Sequence, residues 1–260
     1  MRVWFILPML AGCQLVFPLG SDEDGDGQLD TDDGCPHIAN QSDTDTDGDG
    51  VPDDCDLSIN RKDGESHVFY SFFPDTELPT IRGSSQVVDG GLELGDATAD
   101  GDDLSFVDLA IETYEARIEI GFTVIDVRDP IESFSEFGVH AMATGVPDTG
   151  TRGYTCFFGR DTQGPPPNYL IAQQNEVNPD DPAFSRFSAA DLVGFHGTLK
   201  QTRIDASVEC QVVGDSGERI EAGFTVRDNA ISTPGTIAFT TSRIRVRIDY
   251  IWAVSSSTPL

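Results

Sequence analysis

Between Asp22 and Asp56 the chain carries fourteen Asp or Glu and no Lys or Arg. Such a segment resists collapse, because two like charges about 4 Å apart repel by about 1 kcal/mol in water and about 4 kcal/mol at an effective dielectric of 20. Either it remains a solvated acidic spacer or cations complete it. The spacing favours cations. Asp22, Asp24, Asp26, Gly27, Asp30 and Asp33 return 23 residues later as Asp45, Asp47, Asp49, Gly50, Asp53 and Asp56. In each copy carboxylates hold the first, third and fifth positions, and glycine at the sixth permits a sharp turn. A backbone carbonyl falls at the seventh position (Gln28, Val51), and acids return at the ninth and twelfth. This is the ligand order of a calcium loop, in which roughly six to eight hard oxygens gather at about 2.3–2.6 Å from the ion. The expected metal ligands are therefore Asp22, Asp24, Asp26, Gln28, Asp30, Asp33, Asp45, Asp47, Asp49, Val51, Asp53 and Asp56, and the expected cofactor is Ca2+.

The loops lack flanking amphipathic helices. "CPHIANQS" follows the first copy and Pro52 sits inside the second, so this is no helix–loop–helix pair. The twelfth position is Asp rather than Glu, which shortens its bidentate reach. The stretch "DDGCPHIANQSDTDTDGDGVPDDCD", with its Cys-Pro, the Asn before the next run and the closing Asp-Cys-Asp, resembles the thrombospondin type 3 repeat over residues 22–57. That resemblance implies an extended, calcium-wrapped segment with little core, tied by Cys35–Cys55.

The formal net charge is −29, and the acidic stretch holds about half of it. Such acidity argues against a nucleic-acid backbone or an anionic membrane surface, where phosphate contacts need Lys and Arg. It favours cations, basic partners or neutral glycans. With 260 residues the chain can hold one large domain or two small ones.

"MRVWFILPMLAGC" runs from one positive charge through a short apolar stretch to small residues, the order of a secretory signal. Its apolar run is too short to span a bilayer, which takes roughly 20 residues. Leu10-Ala11-Gly12-Cys13 resembles the bacterial lipobox, which implies that residues 1–12 are removed and that Cys13 carries lipid. An ordinary cleaved signal with an incidental Cys is the alternative. Five Cys is an odd number for an exported chain. Setting Cys13 aside leaves Cys35, Cys55, Cys156 and Cys210, an even set that reads as disulfides. Position along the chain suggests Cys35–Cys55 and Cys156–Cys210, although four Cys allow three connectivities.

After a linker at 13–21 and the repeats at 22–57, the texture changes from about residue 64 to 260. "YEARIEIGFTVIDV" puts Ala116, Ile118, Ile120, Phe122 and Val124 on one face, with Glu115, Arg117, Glu119 and Thr123 on the other. "RIRVRIDYIWAV" sets Ile244, Val246, Ile248, Tyr250 and Trp252 opposite Arg243, Arg245, Arg247 and Asp249, with Trp252 toward the core. Period two marks half-buried strands. "ASVECQVVGDSGERIEAGFTV" reads as strand, turn, strand, and "VVDGGLELG" as a hairpin around Gly90-Gly91. Many short strands with Gly and Pro turns predict a mostly β fold, an antiparallel sandwich. Cys156 and Cys210 lie on inward-facing positions of their strands, which suits a buried bridge.

The segments "HVFYSFF", "ARIEIGFTV", "GYTCFFGR", "ASVECQVV" and "VRIDYIWAV" resemble the laminin G-like, concanavalin A-like jelly roll over roughly residues 66–254. That family contains glycan-binding modules, adhesion modules and glycoside hydrolases, so fold alone does not assign activity. No Glu-x-Asp-x-Glu or Glu-x-Asp-x-x-Glu run occurs to supply a retaining pair of carboxylates. Glu115 and Glu119 share a strand face with Arg117 between them and read as a charge-paired solvent face. Glu132 and Glu136 fall in an expected loop or short turn. There is no Gly-x-Ser-x-Gly elbow. His37, His67, His140 and His196 have no zinc spacing, and His196 reads as a strand-edge residue.

A ligand surface is sought in "CFFGRDTQGPPPNYL", where Phe157, Arg160, Asp161, Asn168 and Tyr169 surround a Pro-rich loop; a rigid connector is the plainer alternative. Arg243, Arg245 and Arg247 could grip an anionic glycan, but pairing with Glu115 or Glu119 is favoured. The sequence thus predicts an exported surface lipoprotein with two calcium loops stiffening a short stalk. Its non-enzymatic sandwich would take a glycan or another surface protein as partner, and only the lipid anchor would meet the membrane. A carbohydrate-active enzyme and a purely structural envelope protein are the alternatives.

Overall fold

A computed structural model describes residues 22–60 apart from 23, 30, 31, 41 and 43. It describes residues 66–256 apart from 71–78, 99–103, 129–133, 145–151, 162–166, 176–182, 188–190, 216, 227–230 and 232. The described residues form strands and no helix. In chain order the strands are β1 (Ser66–Tyr70), β2 (Thr80–Arg82), β3 (Ser85–Val88), β4 (Gly91–Leu94), β5 (Leu104–Thr113), β6 (Glu115–Val127), β7 (Ser135–Thr144) and β8 (Arg152–Arg160). They continue as β9 (Asn168–Asn175), β10 (Ala183–Phe187), β11 (His196–Ile204), β12 (Ser207–Gly214), β13 (Arg219–Thr225), β14 (Gly235–Ser242) and β15 (Ile244–Ser256).

Two sheets form. One runs β13-β12-β11-β6-β15-β4-β3, with β1 added on β15, and the other runs β10-β9-β8-β7-β14-β5-β2. Ladders are antiparallel throughout. The alternation in β6 holds: Ala116, Ile118, Ile120, Phe122 and Val124 enter the core between the sheets. From the other sheet Phe137, Val139, Cys156, Phe158, Leu170 and Phe239 meet them. Cys156 on β8 and Cys210 on β12 are bridged, which ties one sheet to the other through the core. The hairpin between β3 and β4 turns at Asp89 and Gly90, both at positive φ, one residue earlier than the glycine pair suggested. Two left-handed residues are what a two-residue hairpin turn of matching twist demands.

β15 departs from strict alternation. Ile248 pairs Phe122 but Tyr250 pairs Gly121, so Asp249 is an extra residue in the strand. A bulge of this kind exchanges the faces beyond it. Ile251 and Ala253 therefore face the core, and Trp252 turns outward with Val254. The same register separates the arginines from their expected partners. Arg245 and Arg247 stand opposite Asp126 and Thr123, while Glu119 stands opposite Trp252 and Glu115 opposite Ser256. Arg245 instead pairs Glu93, and Arg247 pairs Asp249 and the Asp89 carbonyl.

Trp252 is nevertheless fully buried. What covers it is the acidic segment. Cys35, Val51 and Cys55 share a hydrophobic cluster with Trp252 and Val254, and Ile38, Leu57, Phe69 and Tyr250 pack against it. The His37 ring stacks on Trp252 with centroids 3.9 Å apart. Cys35 and Cys55 are bridged within this cluster. The repeat segment therefore has a small core of its own making with the sandwich and is not a free-standing stalk.

Candidate functional site

The two aspartate loops have one geometry. In the first, Asp22 accepts from the amides of Gly25 and Gly27, Asp24 from that of Asp26, and Asp26 from that of Gln28. In the second, Asp45 accepts from Gly48 and Gly50, Asp47 from Asp49, and Asp49 from Val51. Gly27 and Gly50 hold φ of 98° and 106°, and Gly25 and Gly48 hold 77° and 76°. The glycine at the sixth position was legible; the one at the fourth is a second left-handed residue that the motif also needs. Carboxylate oxygens of Asp22, Asp24 and Asp26 lie within 4.8 Å of one another, as do those of Asp45, Asp47 and Asp49. Burial opposes the charge on Asp45, but the amides of Gly48, Gly50 and Asp49 hold its carboxyl below the usual carboxylate range.

The other expected ligands are placed differently. Asp53 turns to Thr46, accepting from its amide and its hydroxyl. Asp33 and Asp56 are buried and accept from the amides of Cys35 and Ser58. The Val51 side chain points into the Trp252 cluster, which leaves its backbone for the loop. Asp30 lies outside the described residues, as do Cys13 and Glu132. Do the residues present suit a hard cation? Asp47 Oδ2 and Asp49 Oδ2 are buried and meet no hydrogen-bond donor among the described residues. Buried carboxylate oxygens without a donor are costly, and a divalent ion is what an all-oxygen set at this spacing would hold.

The strand face carrying Glu115 and Glu119 is charge-paired, but it is not open to solvent. Glu115 pairs Arg203 and accepts from the Asp205 amide. Glu119 accepts from Lys200 and from the Tyr250 hydroxyl, and lies 3.9 Å from His37. Burial, with Lys200 and Arg117 nearby, pushes the His37 pKa down to about 3. His196 is the first residue of β11, an interior strand, and its ring is held by Asp215.

On the outer face of the seven-stranded sheet, one row across the strands reads Arg186, Tyr169, Gly159, Glu136. The next reads Phe184, Ile171, Phe157, Gly138, Thr240. Glu136 is thus on a strand, not in a loop. Gly159 lies between Tyr169 and Glu136 in this row, and the Tyr169 phenol donates to Glu136 Oε2 at 2.9 Å. Burial raises the Glu136 carboxyl pKa, against the pull of that hydrogen bond. Burial and then Glu136 raise that of Tyr169. Arg186 donates to both oxygens of Asp161, at 3.0 and 2.8 Å, and lies 4.7 Å over the Phe184 ring. Phe184 stacks on Tyr169 at 5.7 Å, and Phe134 meets Tyr169 edge-on at 6.0 Å. Below this cluster His140 bridges Thr155 and Thr240, its pKa pushed down by burial to about 4.

Of the five residues expected around the Pro-rich loop, Phe157 and Tyr169 share this outer face, and Asp161 reaches it through Arg186. Arg160 and Asn168 pair with each other one position along, on the alternate face. Glu136, Phe134, Phe184 and Arg186 were missed as a group. Only strand register brings them together, and no local spacing signals it.

No protein-family model and no curated protein matches the sequence. Solved structures do resemble the fold. Peanut lectin aligns with 74% of this chain and 97% of its own at 12% identity and a TM-score of 0.56. The sandwich is legume-lectin-like. The Bauhinia forficata lectin, solved with GalNAc, covers 75% of this chain and 100% of its own at 12% identity and a TM-score of 0.55. The winged bean acidic lectin, solved with methyl-α-D-galactose, covers 74% and 98% at 10% identity and a TM-score of 0.56. At such identities the likeness of this lectin-like sandwich is one of fold.

Proposed function

We propose that the chain is an exported surface lipoprotein that binds calcium through its two aspartate loops and binds glycans, without cleaving them, through its lectin-like sandwich. The observation that carries the calcium assignment is the repetition of one hydrogen-bond network at two sites, each converging three carboxylates. Asp22, Asp24 and Asp26 would hold one ion and Asp45, Asp47 and Asp49 another, with backbone carbonyls completing the set. Calcium supplies the positive charge that the segment lacks. The chain's own glycines and amides fix the carboxylates beforehand. Cys13 would anchor the mature chain to a membrane through its lipid. The lectins of like fold whose complexes hold GalNAc and methyl-α-D-galactose support glycan binding as the sandwich's role.

Calcium titration calorimetry on the chain from residue 13 tests the assignment. Extracellular calcium modules bind near 10⁻⁴–10⁻³ M, so saturation is expected at about millimolar calcium. Asp24→Asn and Asp47→Asn should each remove one ion's worth of heat. A chain that takes up no calcium at these concentrations would overturn it.

A further inference from the structure

We propose that the corner of the seven-stranded sheet between Phe134 and Phe184 is the glycan site, and that it takes neutral sugars. This rests on the glycan-binding role proposed above. Phe134 and Phe184 remain 46% and 42% exposed, although both pack on one buried tyrosine, Tyr169. Two large apolar rings held open beside a polar cluster are costly in water unless a ligand covers them. A pyranose ring suits them, since its C–H groups can lie on an aromatic face while its hydroxyls bond at the rim.

Charge decides which sugar. Arg186 is the cation of this cluster, and Asp161 already holds it with both oxygens. Asp161 is only 3% exposed. A sulfate or uronate that captured Arg186 would leave that buried carboxylate without its cation, which is strongly unfavourable. The Glu136 carboxyl beside Tyr169 would further repel an anion whenever it is ionised. A basic peptide gains little either, because the Asp161 charge is compensated. The surface is therefore near neutral locally, on a chain whose formal net charge is −29. Hydroxyls, which can accept from the partly exposed Arg186 guanidinium without displacing Asp161, are the groups that fit.

The test is a printed array of neutral, uronate-bearing and sulfated oligosaccharides, probed with the chain from residue 13 in millimolar calcium. Titration of the best neutral hit with Phe134→Ala and Phe184→Ala follows. Both rings are about half exposed, so both variants should keep the far-ultraviolet spectrum of the parent. Neutral sugars should bind, and each variant should weaken them by about three- to tenfold. If neutral sugars bind and neither variant changes affinity, the site lies elsewhere while glycan binding stands. If only sulfated or uronate sugars bind, the assigned class is wrong. A chain that binds no glycan on the array would overturn the glycan role itself and this site with it.

Discussion

At the scale of single residues, the outer face of the seven-stranded sheet holds buried titratable groups of opposite sign. His140 is neutral in the fold, with its pKa pushed from 6.5 to about 4 by burial. Its contribution to stability is intact above about pH 6.5, where folded and unfolded forms are both neutral. It is lost as pH falls toward 4, because the unfolded chain then binds the proton first. That interval is worth on the order of 3 kcal/mol. Glu136 runs the other way: its carboxyl is raised in the fold, so its contribution is full below the ordinary glutamate pKa and is lost as pH rises through the folded value. Urea denaturation of His140→Asn between pH 7 and 4.5 should therefore give a flatter stability profile than the parent. An unchanged slope would mean that His140 charges without penalty. Gly138 tests the packing of the same face. A Cβ there would come within 2.6 Å of the Phe157 ring and 2.8 Å of Thr240 Oγ1. Gly138→Ala should cost roughly 1–3 kcal/mol by overpacking, read as a lower denaturation midpoint.

At the scale of elements, the bridge between β8 and β12 closes a long loop, with Cys156 and Cys210 separated by 54 residues. Chain-entropy arguments give such a crosslink about 4 kcal/mol, and the paired change Cys156→Ala, Cys210→Ala should lower stability by about that amount in urea. This bridge was legible, because both cysteines sat on inward positions of alternating strands. β6 was legible for the same reason as far as Val124: beyond it the ladder with β15 shifts by one residue at Ile125, which no alternation in the sequence marks. β15 was legible as a strand but not in its orientation. The bulge at Asp249 is a backbone event, and the sequence "RIRVRIDYIWAV" carries apolar residues on both faces beyond it. The convergence of Asp22, Asp24 and Asp26, and of Asp45, Asp47 and Asp49, was legible together with the sixth-position glycine because the turn is local; the left-handed glycine at the fourth position was not. The Tyr169 cluster was not, because its members come from β7, β9, β10 and the loops beside β7 and β8, and only pairing across the sheet aligns them. The covering of Trp252 was hidden likewise, since nothing in "CPHIANQS" states what His37 will stack on. It yields a clean probe: in the chain from residue 13, Trp252 is the sole tryptophan. Chelating calcium should loosen the loop that places Val51 and Cys55 over it and shift its emission to longer wavelength. Unchanged emission in chelator would show the cover to be independent of calcium.

At the scale of the whole molecule, calcium held as proposed should stabilise more than the two aspartate loops themselves. A stalk joined to an independent sandwich would give a local response only, with the sandwich melting at one temperature with or without the ion. Here the loops and the sandwich share a core, because Cys35, Val51 and Cys55 bury Trp252 and Val254 of β15. β15 is also the strand on which β1, β4 and β6 all pair. Free energy gained by ion binding at the loops would therefore pass into the eight-stranded sheet. At about 10 mM calcium, roughly 10–100 times a dissociation constant of about 10⁻⁴–10⁻³ M, each site adds about 1.4–2.7 kcal/mol, so two loaded sites would add roughly 3–5 kcal/mol. For a chain of this size that corresponds to a rise in Tm on the order of 10 °C. Much of the gain also comes from relieving repulsion among the fourteen carboxylates of residues 22–56, so monovalent salt alone should recover part of it by screening. Thermal melts followed by far-ultraviolet circular dichroism, which reports the described strands, all at Ser66 and beyond, separate the two arrangements. A calcium-dependent midpoint for that signal is the expected result, halved in Asp47→Asn, and larger than any shift given by sodium chloride of equal ionic strength. A sandwich signal that melts at the same temperature in calcium and in chelator would mean that the contact with Trp252 carries no free energy from the loops to the sheet.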